Sequence, residues 1–408
     1  MNYVCDIAVI GGGAAGLAAA ISAKRQNLNL EVYILEAQGR VGKKLAVTGN
    51  GRCNITNKEI GLSRYHGEDV SFAKYILSPE LDKKMEEVLL STGITLTYEG
   101  EKAYPSSLQA ASVVDCLRFE CDKIGVKTLC DSKVYKIERK NGFTISFNQD
   151  KMTARSVIVA AGLLSGGEKL GSDGSVLKIL KDLGYKTVKT TPAIVQLKTD
   201  NLYTKQLKGI KVEAQASLIR QDKVVKSFFD EVLFCDYGLS GPAILQISRD
   251  ALRESGEFFV SLDLYKELSL SELEEIIENR KRLISERNLD EFFTGMLNKR
   301  LGQVVLKYCG YALSDKPGVI NSGRLAAALK DFRFKVMSHT GFVNSQVTAG
   351  GLSTDSFYSD SLMSKKDNLL FACGEILDID GDCGGFNLRF AFAGGILAGE
   401  KAAKLIGK

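Results

Sequence analysis

A β-branched run at residues 4–10 leads directly into Gly11-x-Gly13-x-x-Gly16 and then into an alanine-rich stretch that reaches residue 27. No other feature narrows the folding options of this chain as far, because the three glycines serve separate purposes that each exclude a side chain. The first permits a tight turn, the second lets backbone approach a diphosphate, and the third lets a helix pack close against the preceding strand. Strand, turn and helix are therefore expected in that order. Ala14 and Ala15 then supply free amides at the positive end of a helix dipole, which stabilise phosphate charge without a lysine. Residues 30–36 read as a second strand ending in Glu36, whose carboxylate suits ribose hydroxyls and disfavours a 2′-phosphate. Two parallel strands joined by a helix form a right-handed βαβ unit, the first piece of a doubly wound α/β sheet. A glycine turn by itself matches this pattern by chance. The strand before, the helix after and the acid at the next strand end together make dinucleotide binding the expectation over a structural turn.

At 408 residues the chain exceeds what one core usually serves, so two or three domains are expected. After a loop at 37–57, amphipathic helices are expected at 81–92 and 107–124, the second capped by Ser106 or Ser107. Strands are expected at 133–139, 143–147 and 156–160, with Asn141-Gly142 turning the first two. From 191 to about 259 the pattern changes to short strands, including 207–219 and 224–234. Residues 268–301 and 321–330 read as helical, strand patterns resume near 334, and a strand at 368–373 and a helix at 388–406 close the chain. The expected organisation is a nucleotide-binding domain in two parts, 1–190 and 337–408, interrupted by a β-rich and helical insertion at 191–336.

Two further segments carry chemistry. In the stretch from Gly42 to Asn57, glycines including Gly51 let backbone amides converge on an anion, and Lys44 and Arg52 add positive charge for a diphosphate or a reduced flavin. An ordinary surface loop with two basic residues is the bland alternative. The loop's length and its position directly after the cofactor acid favour binding. Near the carboxyl end, a strand running into Gly374-Glu375 can present a carboxylate to a ribityl hydroxyl. Gly384-Gly385 can open the last helix toward an isoalloxazine, whose N1 and O2 gain negative charge on reduction. A solvent-facing acidic loop capped by a glycine pair is the alternative there.

Four blocks, Gly11 to Gly16, Gly42 to Asn57, Gly238-Leu-Ser-Gly-Pro-Ala243, and Gly374 to Gly399 with its Gly-Gly-Phe-Asn-Leu centre, span nearly the whole chain, and Thr348-Ala-Gly350-Gly351 looks like a fifth. They resemble the bacterial FAD-binding family of aminoacetone oxidase-like or HI-type flavoproteins, within the glutathione-reductase-like superfamily. The resemblance implies a Rossmann-like FAD-binding domain of glutathione-reductase type, with an inserted β-barrel-like and small helical subdomain. It implies that Glu36, Arg52, Asn54, Glu375, Gly385, Asn387 and Leu388 surround FAD, with Cys53 and Phe386 in the same segments. Val134 is expected to contact adenine through its backbone, and Ala161 and Gly162 to pass near the adenosine. The chain departs from the family pattern at Cys235-Asp236, where a Thr-His pair is common, and at residues 165–174.

Other chemistries find less support. Cys116 and Cys121 have the spacing of a redox disulfide but lie in an amphipathic helical stretch, so buried structural thiols are expected. Cys53, Cys373 and Cys383 lie in flavin-proximal segments, yet none of the nine cysteines reads as catalytic. With only His66 and His339, a multi-histidine metal site is not expected, and each histidine alone reads more readily as hydrogen-bonded structure. No serine triad is indicated. The formal charge of +5 is spread through mixed Lys/Glu stretches, so nucleic acid is permitted but not expected as a partner. No leader or membrane span is expected, and a reducing, cytoplasmic setting fits the cysteine pattern. The expected activity is FAD-dependent oxidation and reduction of a small-molecule substrate. Electrons would come from NADH, NADPH or a small reduced substrate, although the chain has no second complete G-x-G-x-x-G for a nicotinamide. An oxygen-using amine oxidase and a flavin-carrying RNA-binding protein are the alternatives. The oligomeric state, electron acceptor and any catalytic acid or base stay open.

Overall fold

The computed structural model describes residues 1–59, 61–253 and 256–407. The chain folds into two compact units, one of Met1–Pro192 with Gln346–Lys408, the other of Ala193–Ser345.

The first unit is built around the expected βαβ start. Strand β1 (Asn2–Ile10) becomes fully buried from Ile7 onward, helix α1 (Ala14–Gln26) follows, and β2 (Val32–Leu35) pairs parallel with β1, Ile7 opposite Val32. Buried strands with few polar positions are what a parallel sheet covered on both faces requires. After α2 (Pro79–Ser91) and α3 (Ala110–Ile124), β3 (Lys127–Leu129) adds to the edge of β2. On the other side β6 (Asp150–Val159) pairs parallel with β1 and antiparallel with β5 (Gly142–Phe147), which pairs with β4 (Val134–Lys140). Asn141 turns β4 into β5, where Lys140 pairs with Gly142. Strand β6 starts six residues before the sequence expectation, because residues 150–154 pair with β5 while 157–159 sit deeper between β1 and a late strand.

Helix α3 differs from expectation at its start. Gln109 occupies the N-cap without a side-chain bond, and the Ser107 hydroxyl instead lies 2.6 Å from that of Ser112, so neither Ser106 nor Ser107 caps the helix.

The second unit holds a closed antiparallel barrel. Around it run β7 (Leu197–Thr199), β10 (Gly238–Ser240), β9 (Lys223–Cys235), β8 (Lys211–Arg220), β11 (Phe259–Asp263) and β12 (Phe332–His339), which returns to β7. Ala214, Ala216 and Leu218 point inward at period two, and the rings of Phe332 and Phe334 meet edge-on with centroids 4.5 Å apart. Helix α4 (Pro242–Arg253) belongs to this unit, as do α5 (Leu270–Leu283), α6 (Lys299–Tyr308) and α7 (Ser322–Lys330). Of the single helical stretch expected at 268–301, only 270–283 is one α-helix, and a second begins at Lys299 after an intervening non-α segment. Ser269 starts the first with a reciprocal capping box to Glu272, and the Asn298 side chain caps the second. The sequence boundary at 336/337 falls inside β12, whose pairing with β7 and β11 keeps residues through 345 with the barrel.

The chain then returns to the first unit. Strand β13 (Leu370–Ala372) pairs parallel with β6, and the long helix α8 (Phe386–Ile406) covers the sheet. It lies directly on α1: a Cβ at Gly395 or Gly399 would fall 2.2 Å from the carbonyl oxygen of Ala15 or Ala19. Small residues facing one another let the two backbones touch, which brings the starts of both helices to one side of the sheet.

Candidate functional site

The turn after β1 is set by close approach. Gly11 has φ of 101°, and a Cβ there would lie 2.6 Å from the Ala160 carbonyl; a Cβ at Gly16 would lie 1.8 Å from the Gly11 carbonyl oxygen. Gly13 differs from both. It is the N-cap of α1, no side chain caps it, and a Cβ there would meet nothing within 4 Å. The start of α1 therefore fronts free space at Gly13, as an anion site requires, while the Ala14 and Ala15 side chains are buried behind it.

Glu36 stands beside this opening. Its carboxylate accepts from the Gly12 and Gln38 amides, each at 2.8 Å. Burial raises its pKa above the usual carboxylate range, and the two amide bonds partly oppose that shift. An adjoining cleft with about 460 Å³ of atom-free space, partly open to solvent, is lined by Gly11, Glu36, Val134, Ala161 and Gly162. The structure thus brings together the residues expected at an adenosine. The cleft also shows what the sequence reading missed: Lys133 and Asp173 line it and form an ion pair at 2.5 Å.

In the second motif, the backbone of residues 48–53 turns sharply, with positive φ at Gly49, Asn50, Gly51 and Cys53. Lys44 does not point free into a phosphate site. Its ammonium bonds the Ser165 hydroxyl and the Glu375 carboxylate, while the other Glu375 oxygen accepts from Ser165 and from the Thr348 amide at 3.0 Å. Both cofactor-directed segments meet in this knot. Thr348 was visible as part of a motif block, but no local signal marked Ser165. Arg52 is likewise engaged, by the Glu99 carboxylate and by the face of Tyr104, 4.5 Å from the ring centroid. Cys53 is fully buried, and burial pushes its thiol up to about 12, so it is no ready thiolate. Cys121 is pushed to about 12 in the same way, with neighbouring acids adding to burial, and Cys116 is also raised.

The third motif forms the start of α8. Gly385 is its N-cap at φ 97°, wedged so closely that a Cβ would fall 2.5 Å from the Thr56 carbonyl oxygen and 2.7 Å from Asn54 Oδ1. That Asn54 oxygen is buried and has no hydrogen-bond partner. Gly374 packs where a Cβ would lie 2.8 Å from the Ala15 Cβ, which ties the Gly-Glu turn to the start of α1. The Asn387 side chain closes on its own loop, accepting from the Gly381 amide and donating to the Gly381 carbonyl, each at 2.8 Å. Its contribution at the helix start is therefore a rigid loop and a backbone amide. Phe386 is buried, its carbonyl accepting from the Tyr65 hydroxyl at 3.0 Å, and Leu388 is half-buried.

Residues 64–66 also grip this loop. His66 pairs with Asp380 across a short antiparallel ladder, and its Nε2 lies 2.9 Å from the Asp382 carboxylate, which Arg64 approaches at 3.4 Å. Among the described residues no group of three or more His, Cys, Asp or Glu could hold a metal ion, and no helix is long and apolar enough to cross a membrane.

A family model described as HI0933-like protein Rossmann domain matches residues 5–401. A 3-dehydro-bile acid delta(4,6)-reductase of Clostridium scindens is 34% identical over 405 residues, covering 98% of this chain and 99% of that protein. A ribosomal RNA dihydrouridine synthase of Haemophilus influenzae is 28% identical over 404 residues, covering 96% and 97%. Among solved structures, a flavocytochrome c3 fumarate reductase superposes with a TM-score of 0.53 at 16% identity, covering 100% of this chain and 79% of that one, a likeness of fold.

Proposed function

The chain belongs to the HI0933-like Rossmann family, and from that premise we propose that it is an FAD-dependent reductase that saturates carbon–carbon double bonds activated by a neighbouring carbonyl. The observation that carries FAD binding is the uncapped start of α1, where Gly13 fronts empty space beside Glu36 and the cleft lined by Val134, Ala161 and Gly162. We assign the diphosphate to the amides after Gly13, including those of Ala14, Ala15 and Gly16, the ribose to Glu36, and the adenine to the backbone of Val134 with Ala161 and Gly162 alongside. Glu375, held in orientation by Lys44, Ser165 and Thr348, is the ribityl partner, with Gly374 setting its turn. The pyrimidine edge is assigned to the amides at Gly385, Phe386, Asn387 and Leu388, where a helix start stabilises the charge gained on reduction. The unpartnered Asn54 oxygen supports this placement, because a buried acceptor calls for a donor and a flavin carries an imide N–H. The tight turn at Gly51 and Cys53 brings Asn54 there, and Arg52 contributes by anchoring that turn on Glu99 and Tyr104.

Bound FAD supplies hydride transfer, and the protein supplies orientation, charge stabilisation and exclusion of water. The choice of substrate class draws on the names of two relatives. Each describes saturation of a ring double bond, in an oxidised bile acid or in a uridine, and such bonds accept hydride when a carbonyl can take up the charge. We assign NADH or NADPH as the donor, visiting the flavin transiently, and the cytoplasm as the compartment. Amine oxidation of the aminoacetone type draws no support from these relatives. An RNA substrate remains the second reading, favoured by the dihydrouridine synthase relative.

Purified protein should be yellow and release FAD on denaturation. Anaerobic mixing with NADH or NADPH should bleach the flavin, and a 3-oxo-4,6-diene bile acid or 2-cyclohexen-1-one should restore its colour. Unmodified ribosomal RNA restoring it where both enones fail would select the second reading; peroxide release with aminoacetone and no response to any of the three would reject both.

A further inference from the structure

Saturation of a carbonyl-conjugated double bond needs a proton as well as a hydride, and the motifs assigned above contain no free acid: Glu36, Glu375 and Lys44 are all held by hydrogen bonds. We propose that His66 is the proton donor of the reaction, oriented by Asp382. This rests on the reductase reading above.

The case is geometric. His66 belongs to a two-residue strand, Tyr65–His66, paired to Asp380–Gly381 just before the loop that opens α8. Tyr65 holds the first carbonyl of that helix, and Asn57 Nδ2 donates to the Gly384 carbonyl at 2.9 Å, so the same loop is fixed from three directions. Of the two histidines in the chain, His66 alone lies in the unit that carries the cofactor motifs. Its side chain keeps 22% exposure, which leaves it within reach of a substrate, whereas Tyr65 beside it is buried.

Asp382 decides which nitrogen can act. A carboxylate only accepts, so Nε2 carries hydrogen toward Asp382, at 2.9 Å, and Nδ1 is the nitrogen free to exchange a proton. Asp382 is itself largely buried, with Arg64 on its other oxygen at 3.4 Å, so the imidazole is held in one orientation. Further charged groups on the packed elements include Asp380 across the strand pair, Glu68 next along the chain, Asp378, whose carboxylate accepts from the Glu68 amide at 2.9 Å, and Glu59, which pairs with Arg64. In the step, bound FAD would supply the hydride for the β-carbon of the substrate, and the α-carbon would receive the Nδ1 proton of the imidazolium. The carbon–carbon double bond becomes single, the Nδ1–H bond breaks, and a neutral imidazole bonded to Asp382 remains. Asp382 is thus a positioning residue and His66 the catalytic one.

The test uses full-length holoprotein and 2-cyclohexen-1-one. His66→Gln keeps an amide donor for Asp382 but no titrating nitrogen, and it should slow enone-driven flavin reoxidation about a hundredfold or more, while FAD affinity and flavin reduction by NADH or NADPH stay at wild-type levels. Added imidazole should partly rescue His66→Ala. Asp382→Asn should slow the reaction less and shift the His66 tautomer in the imidazole 15N spectrum. In that same spectrum, simple to assign with two histidines, the His66 signals should move when FAD is titrated into apoprotein. Signals that stay put overturn the proposal whatever the substrate. Wild-type rates in His66→Gln, or a loss confined to Cys383→Ser on the same loop, overturn it while leaving the reductase reading intact. A wild-type protein inert toward every enone sinks that reading first and the proposal with it.

Discussion

Single positions in this site separate binding from folding. Gly13 and Gly16 belong to one motif, yet the structure gives them opposite sensitivities. An alanine at Gly13 adds a methyl group to open space at an ordinary φ of −82°, so the apoprotein should lose no more than about 1 kcal/mol. The same methyl intrudes where the diphosphate is assigned, and FAD affinity should fall at least tenfold, about 1.4 kcal/mol. An alanine at Gly16 meets the Gly11 carbonyl at 1.8 Å, so helix and strand have to separate, at a cost of about 3 kcal/mol in stability. Thermal melts of the apoproteins beside FAD titrations distinguish the two; unchanged affinity in Gly13→Ala would move the diphosphate elsewhere. Glu36 was legible at this scale because a motif fixes its distance from the glycines. His66 was not, since its partner Asp382 lies 316 residues away and no spacing rule joins them.

Between elements, charged pairs fix how helices meet. Arg389, fully buried in the first turns of α8, donates to Asp82 of α2 at 2.6 Å. Removing the carboxylate with Asp82→Ala strands a buried guanidinium and should destabilise the protein by about 3–5 kcal/mol, whereas Asp82→Leu combined with Arg389→Met should recover most of that loss. Denaturant unfolding of the single and double variants checks it. Arg25 of α1 likewise bonds Glu120 of α3 at 2.8 Å. Burial raises the Glu120 carboxyl, but the bonds from Arg25 and Lys123 outweigh it and hold its pKa below the usual range. A lowered folded pKa means that the stabilisation is complete above the ordinary glutamate value and fades as pH falls through the lowered one. Glu120→Gln should therefore cost about 1–2 kcal/mol near neutrality and almost nothing in strong acid, read as the pH dependence of the melting difference from wild type. A gap that widens in acid would reverse the sign and refute the assignment.

For the whole molecule, FAD should act as a ligand of the native state. At a free concentration one hundred times its dissociation constant it should add about 2.7 kcal/mol of stability. The gain in hydrogen-exchange protection should fall in residues 1–192 and 346–408, the unit that carries every assigned cofactor contact. Protection spread evenly over residues 193–345 would contradict that assignment. Much of this molecule is written locally. The βαβ start, the turn at Asn141, the alternation of apolar residues in the barrel strands and the final helix all follow from periodicity and turn chemistry, because hydrophobic pattern and backbone sterics act between near neighbours. Helix starts and breaks were less legible, as the uncapped α3 and the divided helix after Ser269 show, since the competing caps differ by about 1 kcal/mol. What tertiary structure alone decided is which charges meet. Lys44 was expected to face phosphate and instead holds Glu375, Arg52 turns to Glu99 and Tyr104, and the Asn387 side chain closes on Gly381. Side chains that can bond many partners are assigned only when folding brings distant segments within about 3 Å, and a linear pattern holds no record of that distance.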